Sequence, residues 1–261
     1  MAQTDIFRLD DQVAVIAGGS GAIGSALGVG LAGAGAKVAI VGRAKDRGEA
    51  AAERIRAVGG EALVVEADLT KKEDADRAID ETLEKFGRVD ISINAIGGGA
   101  GNVLFDAHEY PMKEWDWIFD LNVRSTVLPA QAAVKAMIAG GRGGRVLNIS
   151  SLRGQLGIDA GYSAYVAAKG AIDSLTRQWA TEWARYGINV NAISPTFIDT
   201  PQVAMLLDDP DFKAGIVNRI PLRRVGQTDD LIGAALLMCS GASGFITGQI
   251  LTIDGGLTAT Q

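Results

Sequence analysis

The sequence has one cysteine and one histidine, Cys239 and His108, so neither an internal disulfide nor a Cys/His zinc set can be assembled from it. With no histidine close to it in the chain, Cys239 reads as a small core residue rather than a nucleophile. Basic residues are outnumbered, 25 Lys and Arg against 31 Asp and Glu, for a net charge of −6. That balance argues against a nucleic-acid or anionic-membrane surface and favours a small-molecule partner. No apolar run approaches the length of a membrane span, and "VAVIAGG" is too short and too far into the chain to read as a signal peptide. The expectation is a soluble, cytoplasmic protein. No composition break, low-complexity linker or internal repeat divides the chain, so 1–261 reads as one large domain.

What is abundant is apolar sequence, 48% of the residues, in a regular rhythm. Short β-rich runs at 12–18, 37–42, 61–67, 89–95, 144–150, 188–194 and 249–254 alternate with longer Ala-, Glu- and Arg-containing stretches such as 71–86 and 163–185. Continuous apolar strands separated by crossover helices predict an α/β fold with a seven-stranded parallel sheet covered on both faces. In such doubly wound sheets ligands bind beyond the carboxyl ends of the strands, which directs attention to the segments following them.

Two of those segments carry chemistry. "AGGSGAIG", residues 17–24, follows the first strand and opens the first helix. Glycines there let backbone approach a pyrophosphate, and helix amides favour its charge. In "YVAAKG", residues 165–170, Tyr165 and Lys169 stand four apart and so share one helix face. An isolated Tyr-x-x-x-Lys is ordinarily a solvated helix edge, and a glycine string in a chain with 34 glycines is weak on its own.

Together with "INAIG" (93–97), "LNV" (121–123), "NISS" (148–151) and "NAISPT" (191–196), in this order and separation, these motifs resemble the short-chain dehydrogenase/reductase family over almost the whole chain. The resemblance implies a single NAD(P)-binding Rossmann domain and a catalytic set of Asn122, Ser151, Tyr165 and Lys169. Ser151 is preferred to Ser150 because it begins the family's S-x-x-G, and Tyr165 to Tyr162 because only Tyr165 has the lysine four residues on. By the same resemblance Asn122 holds a water of a proton relay, Ser151 donates to the substrate oxygen, and Lys169 binds the nicotinamide ribose. A phenol with a reference pKa of about 10 needs roughly 3–4 kcal/mol of differential stabilisation to fall two to three units. The expectation is that the Lys169 ammonium and an oxidised nicotinamide supply it.

For the cofactor the resemblance implies Gly18, Ser20, Ala22, Ile23 and Gly24 in the first loop, with Ala17 and Ala22 replacing the family's threonine and middle glycine. It implies Asn94 and Gly97 after the fourth strand, where Ala95 replaces a second asparagine, and Pro195, Ile198 and Thr200 after the sixth, where Thr196 replaces a glycine. Asp68 and Leu69 match the adenine contact, although Asp68 also reads as an N-cap-region residue before the helix at 71. In "AIVGR", NAD-using relatives have an acidic residue where this chain has Gly42, and Arg43 follows. A guanidinium suits a 2′-phosphate, so NADP(H) is expected over NAD(H); a solvated arginine continuing into Lys45 and Arg47 is the plainer reading.

The segment at about 196–225 resembles the family's substrate lid. Phe197, Met205, Leu206 and Phe212 there line an apolar pocket or merely cover the sheet, and Arg153 meets a substrate carboxylate or is solvated. Trp179 and Trp183, about 20 Å along the helix from Tyr165, read as packing residues. The implied activity is interconversion of a secondary alcohol and a ketone. "DDPDF" and "RIPLRRVG" resemble gluconate 5-dehydrogenase-like members, which points to a polyol or sugar acid. A 3-oxoacyl thioester reductase and a catalytically silent dinucleotide sensor are the alternatives. Family members of this length commonly form homotetramers.

Overall fold

The computed structural model describes residues 3–99 and 103–260, except for the side chains of 3, 4, 205 and 206. The expectation for Met205 and Leu206 therefore lies outside the described side chains. In chain order the elements are β1 (Val13–Ala17), α1 (Ala22–Gly33), β2 (Lys37–Gly42), α2 (Lys45–Ala57), β3 (Ala62–Glu66), α3 (Lys72–Phe86), β4 (Ile91–Asn94) and α4 (Met112–Phe119). There follow α5 (Ser125–Gly140), β5 (Gly144–Ile149), α6 (Ser163–Trp183), β6 (Ile188–Pro195), α7 (Pro201–Leu207), α8 (Pro210–Arg219), α9 (Ile232–Cys239) and β7 (Ile250–Ile253). Every strand falls within a residue or two of its expected run.

All seven strands are parallel, in the order β3-β2-β1-β4-β5-β6-β7. β1 runs beside β4 with Ala17 opposite Asn94, and the strand order reverses there, which opens a crevice above their carboxyl ends. Alternation along β1 builds the two cores. Ala14 and Ile16 face one cluster with Leu27 and Leu31 of α1, Ile55 of α2 and Met238 of α9. Val15 and Ala17 face the other, with Ile79 of α3, Val134 and Met137 of α5 and Trp179 of α6. Sheet strands buried on both sides need apolar residues at every position, and all five of β1 are buried.

Trp179 stacks on Trp183 at 4.8 Å between ring centroids, within the second cluster. Cys239 is buried in the first, and burial pushes its thiol up to about 12. The segment after β6 forms α7 and α8 over a small core of its own, in which Leu207, Ile216, Ile220 and Val225 pack with Phe197, Val203 and Val217. Among the described residues no helix is long and apolar enough to cross a membrane, and no group of three or more His, Cys, Asp and Glu is placed to hold a metal.

Candidate active site

A cleft of about 600 Å³ lies over the carboxyl ends of the strands, where the loops after β1, β4, β5 and β6 meet. Its wall contains Ser20, Gly21, Ala22, Ile23 and Gly24 at one end, and Ser151, Tyr165 and Lys169 at the floor. Pro195, Ile198 and Thr200 complete it from the β6 side.

The first loop is held by contacts that only glycine permits. Gly18 has φ +82°, and a Cβ there would fall 2.8 Å from the Ala95 carbonyl carbon. A Cβ on Gly24 would fall 2.3 Å from the Gly18 oxygen. Ala22 is the first residue of α1 and does not have positive φ, so its methyl group is tolerated where the family has glycine. Gly21 caps α1 with no side-chain hydrogen bond, which leaves the helix N-terminus facing the cleft to satisfy an anion.

Tyr165 and Lys169 lie on the same side of α6, the ammonium 5.7 Å from the phenol ring centroid. Lys169 is buried and donates to the Ile149 carbonyl at 3.0 Å. A Cβ on Gly97 would fall 2.9 Å from Lys169 Nζ and 2.8 Å from Asn122 Oδ1, so glycine is what lets this loop meet both. Tyr165 and Ser151 both line the cleft, and the serine hydroxyl acts to lower the phenol's pKa. The Arg153 backbone N–H donates to Ser151 Oγ at 3.2 Å, which frees the hydroxyl's own proton to point into the cleft. Ser150, by contrast, is buried with its hydroxyl toward the Lys169 carbonyl at 3.4 Å.

The chain's own groups do not by themselves lower the phenol's pKa. Burial raises the Tyr165 pKa, and the Ser151 hydroxyl and the Arg153 charge oppose it only in part; Lys169 is not among the groups that lower it. Burial also depresses Lys169, to about 8, against a smaller upward pull from Asp173. Lys169 is buried and Tyr165 partly so, and their desolvation outweighs the charges nearby.

Other expected residues have roles away from the cleft wall. Asn122 lies in a π-helical turn, Asp120–Arg124, between α4 and α5. Its amide donates to the carbonyls of Gly98 and Ile118, and its Oδ1 accepts from the Gly98 N–H, so the side chain braces the loop after β4. Asn94 is buried and donates to Asn148, which donates to Thr176, tying β4 through β5 to α6. This brace forms although Ala95 replaces the second asparagine. Asp68 accepts from the backbone N–H and hydroxyl of Thr70, the local reading of that residue, while Lys71 occupies the N-cap of α3. Leu69 is buried in the second core, and Arg43 is exposed beyond the cleft wall.

The sequence reading missed Ser25, Ala50, Ala51 and Arg54, and took Arg47 as part of a solvated basic stretch; all five line the cleft from α1 and α2. Arg54 donates to Ser25 Oγ at 3.1 Å. The seven-residue spacing of Arg47 and Arg54 places them on one helix face, which was the available signal.

Comparison with known proteins decides the family. A family model described as Enoyl-(Acyl carrier protein) reductase matches residues 17–258. The chain belongs to the short-chain dehydrogenase/reductase family. Its similarity to family members extends end to end. It is 35% identical to a gluconate 5-dehydrogenase of Gluconobacter oxydans (strain 621H), with 100% of each chain covered. It is 36% identical to a 2-dehydro-3-deoxy-D-gluconate 5-dehydrogenase of Escherichia coli (strain K12), covering 97% of this chain and 98% of the relative. A crystal structure of a gluconate 5-dehydrogenase from Burkholderia cenocepacia J2315, in complex with NADP and tartrate, superposes with a TM-score of 0.91 at 35% identity, covering 98% and 99%. The chain is thus an oxidoreductase of this family, with its α/β fold and its NAD(P)(H) chemistry.

Proposed function

We propose that this chain interconverts a secondary alcohol and a ketone on a sugar acid or related polyol, with NADP(H) favoured over NAD(H). The observation that carries the reading is the meeting of Ser151, Tyr165 and Lys169 at the floor of a cleft whose far end is a glycine cradle. Relatives named for gluconate and keto-deoxygluconate substrates support the substrate class, and the NADP complex of one structural neighbour supports the cofactor.

The glycine cradle, the open helix N-terminus and the length of the cleft fit a nicotinamide dinucleotide. Gly18, Ser20, Ala22, Ile23 and Gly24 would hold its pyrophosphate, Asp68 and Leu69 its adenine, and Gly97, Pro195, Ile198 and Thr200 its nicotinamide end. Arg43 would take the 2′-phosphate, with Asn94 and Asn122 bracing the loop between. When bound, the cofactor supplies or accepts the hydride. In reduction, Ser151 donates a hydrogen bond to the carbonyl oxygen and Tyr165 donates its proton to that oxygen as charge develops there. The raised phenol pKa keeps that proton in place at neutral pH. Lys169, anchored on Ile149 and 5.7 Å from the phenol ring centroid, would give its remaining donors to the ribose hydroxyls.

The reading includes a lid at 196–225, a homotetramer and a cytoplasmic location. A panel of ketones and alcohols, sugar acids included, assayed with both cofactors by the absorbance of the reduced nicotinamide tests it. Oxidation or reduction of a sugar acid with NADP(H) is the expected result. Activity confined to 3-oxoacyl thioesters, or cofactor binding with no turnover of any member, overturns it.

A further inference from the structure

The substrate end of the cleft is lined by a cation without a counter-ion, Arg153, in a chain whose net charge is −6. Arg153 follows Ser151 in a short 3-10 turn, is partly buried and lines the cleft. Its Nη1 donates to the Gly157 carbonyl at 3.0 Å, which engages one edge of the guanidinium and leaves further donors uncommitted. Among the described residues no carboxylate lies within ion-pair distance of it. Arg219, at the end of α8 in the segment after β6, is exposed, has no ion pair either, and stands close enough for its charge to oppose that of Arg153. Burial first, and Arg219 second, push the Arg153 guanidinium below its ordinary pKa. A partly buried guanidinium without a counter-ion is costly, and an anion beside it removes that cost.

The position of this pair limits what anion fits. Arg153 is two residues from Ser151, donates its backbone N–H to the Ser151 hydroxyl oxygen, and lines the same cleft as Tyr165. The charged group and the reacting carbon therefore belong to one compact molecule rather than to opposite ends of a long acyl chain. The dinucleotide's phosphates would lie at the glycine cradle, at the other end of the cleft.

We propose that Arg153, assisted by Arg219, forms a subsite for the carboxylate of a short hydroxy- or keto-acid and so sets both substrate class and the placement of the ketone against Ser151 and Tyr165. This rests on the sugar-acid reading above. The competing role, bracing the 151–157 loop through Gly157, would cost every substrate alike.

The test compares 5-keto-D-gluconate with its primary amide, which keeps the carbon chain and removes the charge. The unmodified protein should favour the acid. In Arg153→Gln the ratio of kcat/KM for acid over amide should fall roughly ten- to hundred-fold, mainly through the KM of the acid, as expected for loss of a charge-assisted contact. Arg153→Lys should restore part of the ratio, and Arg219→Gln should lower it less than Arg153→Gln. If the unmodified protein reduces the acid well but Arg153→Gln lowers acid and amide equally, or changes neither, the subsite is wrong while the sugar-acid reading stands. If the unmodified protein reduces only uncharged ketones, the sugar-acid reading falls and the subsite with it.

Discussion

The glycine-loop half of the molecule and the segment after β6 are built on opposite plans. In the first, backbone atoms touch: a Cβ at Gly24 has nowhere to go, and the loop sits directly on strands whose residues are buried on both faces. The second has two short helices on a small separate core, with partly or largely exposed side chains between them. A binding site for an invariant ligand can be rigid, whereas a site that selects among substrates varies in side chains rather than in backbone. The difference predicts that changes in the first half act on everything the protein does, while changes in the second act on particular substrates.

The sharpest test lies where the halves meet. Tyr165→Phe keeps the ring and removes the proton, and should lower turnover by roughly 10²- to 10⁴-fold with little change in cofactor affinity. Steady-state rates together with cofactor titration by fluorescence measure both. Turnover above a tenth of the parent's would remove Tyr165 from the mechanism. Next in size is Arg43→Ala, expected to lose roughly ten- to hundred-fold in kcat/KM with NADPH and little with NADH. Equal losses with both cofactors would show that Arg43 does not read the 2′-phosphate. Gly42 has a second reason to be glycine, because a Cβ there would lie 2.5 Å from Ser20 Oγ, so its identity alone does not decide cofactor choice.

The same contrast explains what could be read from the sequence. Seven strands were legible because residues buried on both faces leave uninterrupted apolar runs, and the glycine loop because close approach forbids any other residue. The Tyr165–Lys169 pair was legible from helical spacing. The direction of the Tyr165 shift was not, because the sequence shows which charge is nearby but not how dry the floor is. Asp68 stays ambiguous for a related reason: a carboxylate before a helix satisfies Thr70 locally whether or not a ligand is near. Arg54 went unread, and Arg47 was taken as solvated, because the solvent and the cleft both accept a basic helix face.

Lys169 tests the dry floor directly. Its pKa lies near 8 in the folded protein against 10.5 for an ordinary lysine. Between those values the unfolded chain binds more protons, so stability rises with pH through that window and the cost of the buried charge is complete below about 8. Lys169→Met should therefore be more stable than the parent at pH 7, by about 1–3 kcal/mol after the lost bond to Ile149 is counted, and the advantage should shrink as pH approaches 10.5. Denaturant midpoints at pH 7 and pH 9.5 measure this. A variant less stable at both would mean that the ammonium is well compensated and the floor is not dry.

The smallest effect, at Val225, separates the segment after β6 from the sheet most cleanly. Val190 in β6 is fully buried within the sheet core, and Val225 is 7% exposed within the small core of the segment after β6. The two truncations remove the same atoms. Val190→Ala should cost about 1.5–3 kcal/mol, because the sheet cannot close over the space. Val225→Ala should cost less than about 1 kcal/mol globally, because short helices on a small core relax around the gap or open independently of the sheet. Its effect should fall on substrate KM instead, through Phe197, which packs against that core and lines the cleft. Equal losses of global stability from the two substitutions would show that the segment unfolds with the sheet as one unit. It would then serve as part of the scaffold rather than as a closing element.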